Sequence, residues 1–452
     1  MICSTWARVN RRMHKMRSDQ TATLLKGALL IGLIALLVMP ANAQSIDLDT
    51  LLVKLPLTAS GTSDTSTASK VLSRYDLKRL EPLHVPGWFR IQAAANILDR
   101  LQEQLQCDPN ILAVERDGVV QATIIPNDTY WSSQWGPLKI GAPGAWEITT
   151  GSSAVIIAIV DSGIDTDHPD LINQLWINSG ETPGDGIDND GNGFIDDIYG
   201  WRFLDTGQNN NVEDDLGHGT HVAGIAGAMS NNDAGIAGMA WGSKLMILKM
   251  LDYRNSGRYS DLADAIIYAA DNGARVINLS LGSASGAQVM EDAVNYATGH
   301  GALVVAAAGN NSSSVYYPGA YPAALAVAAT DSNDQHASYS NSGPEVDIAA
   351  PGSGIYSTCT LAYYPYCYKS GTSMATPHVA GLAALLWSQH YTYTVGQVRQ
   401  FIINNTVDVE SPGWDSYTGW GRIDAWQALT ATLEPQTLYI YYFPLIMIGE
   451  VD

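Results

Sequence analysis

Residues 155–170 read VIIAIVDSGIDTDHPD. Six apolar residues, five of them β-branched and one alanine, run up to Asp161, and Ser162-Gly163 then turn the chain. β-Branched side chains favour extended backbone. A strand that is apolar on both faces belongs inside a parallel sheet covered by helices on each side. In open sheets of that kind ligands bind beyond the carboxyl ends of the strands, so Asp161 stands where chemistry is expected. Outward from this stretch the same pattern recurs. Strand-like runs fall at 245–250, 276–279, 303–307, 324–329 and 346–348, and helix-like runs at 218–228, 260–272, 287–298, 373–388, 395–404 and 424–431. Alternation of this kind predicts an α/β fold, a doubly wound, mainly parallel sheet flanked by helices.

Two further stretches supply partners for Asp161. Residues 217–228 read GHGTHVAGIAGA and residues 371–386 read GTSMATPHVAGLAALL. They place His218 and Ser373 at the starts of apolar helices. A serine hydroxyl is a weak nucleophile until an imidazole takes its proton and a carboxylate orients that imidazole. The chain order Asp161, His218, Ser373 is one of the orders in which this constellation occurs. Gly219 lets the His218 backbone approach a neighbour closely. Residues 304–310 (VVAAAGN) bring the amide of Asn310 to another strand end, where its N–H suits a developing oxyanion. A lone Asp after a strand or Ser at a helix start is ordinarily a cap; the joint pattern argues against that reading. His221 and His378 read as packed structural histidines. Zinc on His218 and His221 lacks the accompanying Glu motif.

These segments resemble the subtilisin-like serine proteases, most closely the thermitase-like branch, over residues 128–431. The resemblance implies a serine endopeptidase that hydrolyses peptide bonds in proteins and peptides through an acyl-enzyme. Ser373 would be the nucleophile, His218 the general base and then acid, Asp161 the orienting carboxylate and Asn310 the oxyanion donor, beside the Ser373 amide. Ser280, Leu281 and Gly282 would form one wall of the pocket before the scissile bond, and residues 307–309, with Ala308 and Gly309, the other. Asn255, Ser256 and Gly257 would form an edge on which extended substrate pairs. Tyr316 would narrow the pocket floor, and Tyr317-Pro318 matches a cis peptide of relatives. An inactive binding protein of the same fold is the alternative reading, disfavoured by the intact Asp161, His218, Asn310 and Ser373. An acid peptidase of related fold is disfavoured by His218 and Asn310.

Calcium is the implied cofactor. Residues 188–197 (DNDGNGFIDD) read like an EF-hand loop, with Asp188, Asp190, Asn192 and Asp196 as oxygen ligands. Tyr199 replaces the closing glutamate, so Asp197 or Asp185 would complete the shell. The resemblance suggests a second site from Asp128, Asp170 and Asn232 with backbone carbonyls around Met229, Ala234 and Ile236. A weaker third set is Asp205 with Asp214 and Asp215, beside Arg202.

Composition bounds the rest. The chain has 452 residues and a net charge of −21. From Thr123 onward ten Lys/Arg face 34 Asp/Glu, which excludes a nucleic-acid binder of ordinary type. Residues 1–43 combine Arg8, Arg11, Arg12, Lys15, Arg17 and Lys26 with an apolar run at 28–38 and an Ala-Asn-Ala site at 41–43. That pattern reads as an export signal, with an uncleaved N-terminal anchor as the alternative, and predicts a secreted, extracellular protein without stable membrane insertion; a monomer is expected. In that compartment Cys359 and Cys367 are expected to pair. Residues 44–122 differ in texture. A Ser/Thr-rich stretch at 58–69 reads as flexible, 91–105 as helical and 111–120 as a strand, while 126–146 reads as an arm into the main domain, 123–434. The Val114-Glu115-Arg116-Asp117 segment resembles the end of the family's inhibitory propeptide, so residues 44–122 are expected to be a small α+β propeptide that inhibits its own enzyme, with a separate binding domain as the alternative. The apolar tail at 435–452 reads as a docked edge strand over 437–448.

Overall fold

The structure is a computed structural model that describes residues 48–58, 65–75, 77, 80–117, 124–362 and 364–432. The chain divides into two compact units, Met1–Val120 and Gln121–Asp452. The export signal and the 437–448 tail lie outside the described residues.

The first unit contains strands β1 (Leu48–Lys54), β2 (Glu81–Pro82), β3 (Trp88–Ala94) and β4 (Ala113–Arg116), with helices α1 (Thr65–Tyr75) and α2 (Ala95–Gln106). Its sheet has the order β2-β3-β1-β4 and is antiparallel throughout. Leu51, Val53, Ile91, Leu98 and Leu105 form its core. Two expectations need correction here. The Ser/Thr-rich stretch enters α1 at Thr65, because Ala68 and Val71 bury one face of a helix. Residues 91–94 finish β3 before the helix begins, since Ile91 pairs with Leu51 across the sheet.

The second unit is built on nine strands in the order β14-β15-β11-β10-β9-β8-β5-β7-β6. These are β5 (Ile156–Asp161), β6 (Gly200–Arg202), β7 (Lys244–Lys249), β8 (Val276–Leu279), β9 (Leu303–Ala307), β10 (Leu325–Thr330), β11 (Ile348–Pro351), β14 (Thr406–Val407) and β15 (Arg422–Ile423). All neighbours are parallel except β14 and β15. The unbroken apolar runs resolve into two cores by the two-residue period of a strand. Ile157, Ile159, Leu245, Ile247, Leu303 and Val305 face one side. Ala158, Val160, Met246, Leu248, Val304 and Ala306 face the other.

The flanking helices are α5 (His218–Gly227), α6 (Tyr259–Asp271), α7 (Gln288–Gly299), α8 (Thr372–Gln389), α9 (Val395–Asn404) and α10 (Ala425–Ala431). The first core packs against α5 and α8, the second against α6 and α7. The strand expected at 346–348 lies slightly later, at β11. The arm at 126–146 is packed into the domain: it carries α3 (Trp135–Lys139) and α4 (Ala142–Ile148) and buries Trp131 and Trp146. A hairpin, β12 (Ile355–Thr358) with β13 (Tyr366–Lys369), completes the unit, closed by the Cys359–Cys367 disulfide.

Asp161 is the last residue of β5, and β7 and β8 lie on opposite sides of it. The order of strands reverses there, which makes it the switch point at which open α/β sheets bind ligands.

Candidate active site

Asp161 is fully buried, and its Oδ1 accepts from the Ser162 amide at 2.7 Å and faces His218 Nδ1 at 2.7 Å. A carboxylate only accepts, so Nδ1 carries the hydrogen and the Nε2 lone pair is left for a proton. Burial opposes charge on His218, but the Asp161 carboxylate, by charge and hydrogen bond, outweighs it and raises the pKa. Gly219 permits this approach: a Cβ there would lie 2.1 Å from the Gly163 carbonyl oxygen.

The start of α5 is fixed by a residue that sequence reasoning placed elsewhere. Asp214 accepts from the amides of Leu216, Gly217 and Thr220 and from the hydroxyls of Ser162 and Thr220. Burial pushes its carboxyl upward, but the hydroxyl and amide donors, Thr220 foremost, leave the pKa lowered. An anion at a helix N-terminus is favoured by the unpaired amides there. Asp214 therefore caps the start of α5. Asp215 pairs with Lys249 at 2.8 Å and Asp205 with Arg258 at 2.5 Å.

Ser373 lies in the first turn of α8. Pro377, four residues on, has no N–H to return to the Ser373 carbonyl. That carbonyl is taken instead by the Ser280 hydroxyl at 2.9 Å, while Ser373 Oγ donates to the Ser280 carbonyl at 3.0 Å. Asn278 Nδ2 in turn donates to Ser280 Oγ at 2.9 Å. Thus Ser280 braces the serine from the end of β8 as well as lining the cleft.

Asn310 is oriented by its neighbours. Its Oδ1 accepts from the Thr372 amide at 2.8 Å and the Thr372 hydroxyl at 2.9 Å. An amide N–H cannot accept, so oxygen must face Thr372 and Nδ2 is turned away. The Thr372 hydroxyl accepts in turn from the buried Gly309 amide at 3.1 Å.

His218, Asn310 and Ser373 line one cleft with Leu251, Asn255, Ser280, Leu281, Gly282, Gly309 and Tyr316. Ser256 and Gly257 line an adjoining hollow that shares Leu251, Asn255, Leu281 and Gly282. The Tyr316 ring crowds the floor: a Cβ on Gly309 would stand 3.0 Å from it. Ala308 departs from expectation. Its methyl packs with Val315, Ala326, Ala328 and Ala349 in the core and does not face the cleft. Leu251, Asn311 and Thr372 line the cleft and carried no sequence signal of their own. The Tyr317–Pro318 peptide is cis.

The chain is similar to known proteins over most of its second unit. Residues 152–421 match the model of the Subtilase family, Peptidase_S8. The chain is 43% identical over 361 residues to the thermophilic serine proteinase of Bacillus sp. (strain AK1), covering 78% of this chain and 82% of that one. It is 46% identical over 312 residues to thermitase of Thermoactinomyces vulgaris, covering 67% of this chain and 99% of that one. A solved protease structure from Pseudoalteromonas arctica PAMC 21717 matches with a TM-score of 0.58 at 30% identity, covering 68% of this chain and 99% of that one. The chain belongs to the subtilase family.

The subtilase is accordingly a hydrolase of the serine-protease class acting on proteins or peptides, of the thermitase-like branch. Among the described residues no helix is long and apolar enough to cross a membrane.

Its acidic loops separate into two groups. Glu181, Asp188 and Asp190 each bring a carboxylate oxygen within 4.8 Å of the others. Glu181 lies before the EF-hand-like stretch and escaped sequence reasoning. Its Oε1 accepts from the amides of Asn189 and Asp190 and its Oε2 from Asp196. Asp196 turns its own carboxylate to the Gly184 and Gly186 amides. Asp197 accepts from Asn178, Asn192 and Tyr268. Asn192 donates to Asp190 and Asp197 through Nδ2. Asp185 accepts from the Ile187 amide and Asn189. Oxygen donors in this density fit a hard cation.

The second group joins Asp128 and Asp170. Asp170 Oδ2 accepts from the Ile236 amide at 2.9 Å and Tyr366 hydroxyl at 3.0 Å, and Oδ1 from Asn232 at 3.4 Å. The Met229 amide donates to the Asp170 carbonyl, and the Ala234 amide to Asn232 Oδ1. Asp128 Oδ2 accepts from the Asn231 amide at 2.8 Å, but its buried Oδ1 has no hydrogen-bond partner. Burial raises both pKa values, and the Asp170 charge adds to the rise at Asp128. A buried carboxylate oxygen without a donor, facing a second anion, fits a bound cation.

Proposed function

We propose that this subtilase is a secreted, calcium-stabilised serine endopeptidase whose reacting groups are Asp161, His218, Ser373 and Asn310. The observation that carries the reading is the 2.7 Å Asp161–His218 contact at the mouth of a cleft that also holds Ser373 and the oriented Asn310 amide. Ser373 Oγ attacks the substrate carbonyl carbon as His218 Nε2 takes its proton. The tetrahedral oxyanion is met by Asn310 Nδ2 and the Ser373 amide. His218 then gives the proton to the leaving amine, and the C–N bond breaks to leave an acyl-Ser373. Water, deprotonated by the same imidazole, releases the acid. Asp161 stabilises the imidazolium and stays ionised.

Extended substrate lies along 255–257 and 280–282 and pairs by main-chain hydrogen bonds, with Tyr316 limiting the side chain that enters the floor. Asp128, Asp170 and Asn232 would hold calcium at one place, and Glu181, Asp188 and Asp190 at the other. A bound ion would neutralise these clustered carboxylates and tie together the loops that carry them. Residues 44–122 act as the inhibitory propeptide, cut close to Thr123; the separate core of the first unit supports this reading. N-terminal sequencing of active protein should begin near Thr123, and a start at Gln44 would oppose it.

The central test is labelling with an active-site serine reagent. One labelled residue per molecule, lost in Ser373→Ala, is the expected result. Matured, folded protein that takes up no label would leave a binding protein as the better reading.

A further inference from the structure

Lys369 closes β13, four residues before the reacting serine. It is half-buried, and its Nζ donates to the carbonyl of Gly217 at 2.6 Å. Gly217 directly precedes His218. The ammonium is thus tied to the peptide from which the imidazole projects. The charged and titratable groups acting on His218 come from every element packed around it. Asp161 ends β5, Asp214 caps α5, His221 lies one turn along α5, and Lys369 comes from β13. Burial keeps His221 neutral, with its pKa pushed down to about 3. Two carboxylates therefore favour a charged imidazole, and one ammonium opposes it.

That balance bears on the reaction. A general base works only while unprotonated. Asp161 must lie close to orient the ring, and its charge draws a proton onto the same ring. Asp214 adds to this, as does the field of a chain with net charge −21. A fixed cation near the pair corrects the imbalance without touching Nε2. We propose that Lys369 is an electrostatic positioning residue for the Asp161–His218 pair: its ammonium keeps His218 unprotonated further into the acid range, while its bond to Gly217 holds the peptide that leads into the imidazole. Burial pushes the Lys369 pKa down, while Asp214 and Asp161 work to hold its proton in place. The proposal rests on His218 as the base.

The test compares the mature enzyme with Lys369→Arg, Lys369→Gln and Lys369→Met. Arg keeps the charge. Gln keeps a donor for Gly217 without the charge, and Met removes both. Two quantities are read: the acid limb of kcat/KM on a short peptide substrate, and the titration of His218 by NMR on histidine-labelled enzyme, assigned by its response to serine sulfonylation. Loss of a positive neighbour should move the limb and the titration upward by about 0.3 to 1 pH unit in the Gln and Met variants, with Arg close to the parent. An unmoved His218 titration in both neutral variants overturns the proposal. So does a drop in kcat/KM that is uniform with pH, which a brace without electrostatic effect would give. A titration that moves while the limb stays fixed leaves the Lys369 effect standing and removes His218 from the role of base.

Discussion

Thr372→Val removes a hydroxyl and little else, and the site makes its effect calculable. Thr372 is fully buried. Its hydroxyl is one of two donors to Asn310 Oδ1 and the acceptor for the Gly309 amide. The other donor, the Thr372 amide at 2.8 Å, survives the change. Asn310 therefore keeps its orientation on average but samples others. One hydrogen bond of this kind is worth about 0.5–1.5 kcal/mol. If that energy holds Nδ2 on the oxyanion, kcat should fall by roughly 2- to 13-fold. KM should stay within about twofold, because the interaction strengthens only in the transition state. Removing the amide itself, as Asn310→Leu, should cost about 10²–10³ in kcat, a magnitude measured on another member of this family. The decisive assay is the cycle of both single variants and the double variant, with kcat and KM on a short peptide substrate above the acid limb. Thr372→Val should cost nothing further once Asn310 is leucine, since its route of action is gone. An equal loss in both backgrounds would refute the reasoning, as would a loss carried by KM. Thr372→Ser keeps the hydroxyl and should retain most of kcat.

The remaining predictions concern stability and geometry. Burial drives His221 and His378 down to about 3 and about 4, against ~6.5 in the unfolded chain. A group whose folded pKa is depressed stabilises fully above its unfolded value and loses that as pH falls, so going from pH 7 to 5 should remove roughly 4 kcal/mol from the two together. His218, raised by Asp161, has the opposite sign and offsets part of this; a Tm by calorimetry that stays level over the window would contradict the burial argument. Chelator in excess should lower Tm and speed self-digestion, because an ion bound only by the native state stabilises it. In Asp170→Asn that response should shrink, and an equal response there would remove the Asp128–Asp170 place from the ion's sites. Gly219→Ala should abolish kcat by forcing His218 from Asp161, since the new methyl would overlap the Gly163 carbonyl at 2.1 Å; a normal kcat would mean the loop yields at little cost.

The α/β architecture was legible because strand and helix periods differ and the runs are long. The strand at 276–279, another at 303–307 and the helix at 395–404 match their observed bounds. The shortest strands, β2, β6, β14 and β15, carry two or three residues each and too little pattern to stand out. The candidate site residues stood out for a related reason: each sits at a strand end or helix start within two residues of a glycine. Asp214 and Glu181 were missed in their actual places because their work is done through backbone amides. Asp214 gathers the amides of residues 216, 217 and 220, and Glu181 those of 189, 190 and 196. A carboxylate that organises amides leaves no spacing rule behind it. Ala308 errs the other way. It lies in the right segment, but neighbouring residues of an extended chain point to opposite faces, and its methyl belongs to the core while Ala307 and Gly309 line the cleft.

The serine itself shows how local irregularity is turned to positioning. Proline six residues into a helix ordinarily weakens it by leaving a carbonyl without its N–H. Here the orphaned carbonyl is that of Ser373, and the Ser280 hydroxyl fills it from the end of β8. The return contact, Ser373 Oγ to the Ser280 carbonyl, makes the link reciprocal. Proline leaves that carbonyl to the Ser280 hydroxyl without competition from a helix N–H. The break in α8 thus couples the proposed nucleophile to the strand that forms the cleft wall, so the position of Ser373 is set by the sheet as well as by its own helix. The same logic holds at Asn310, where a threonine at the first turn of α8 fixes an amide at the end of β9. Both links run from the start of one buried helix to the carboxyl ends of neighbouring strands, which is why Ser373 and Asn310 keep register with one another although they lie far apart in sequence.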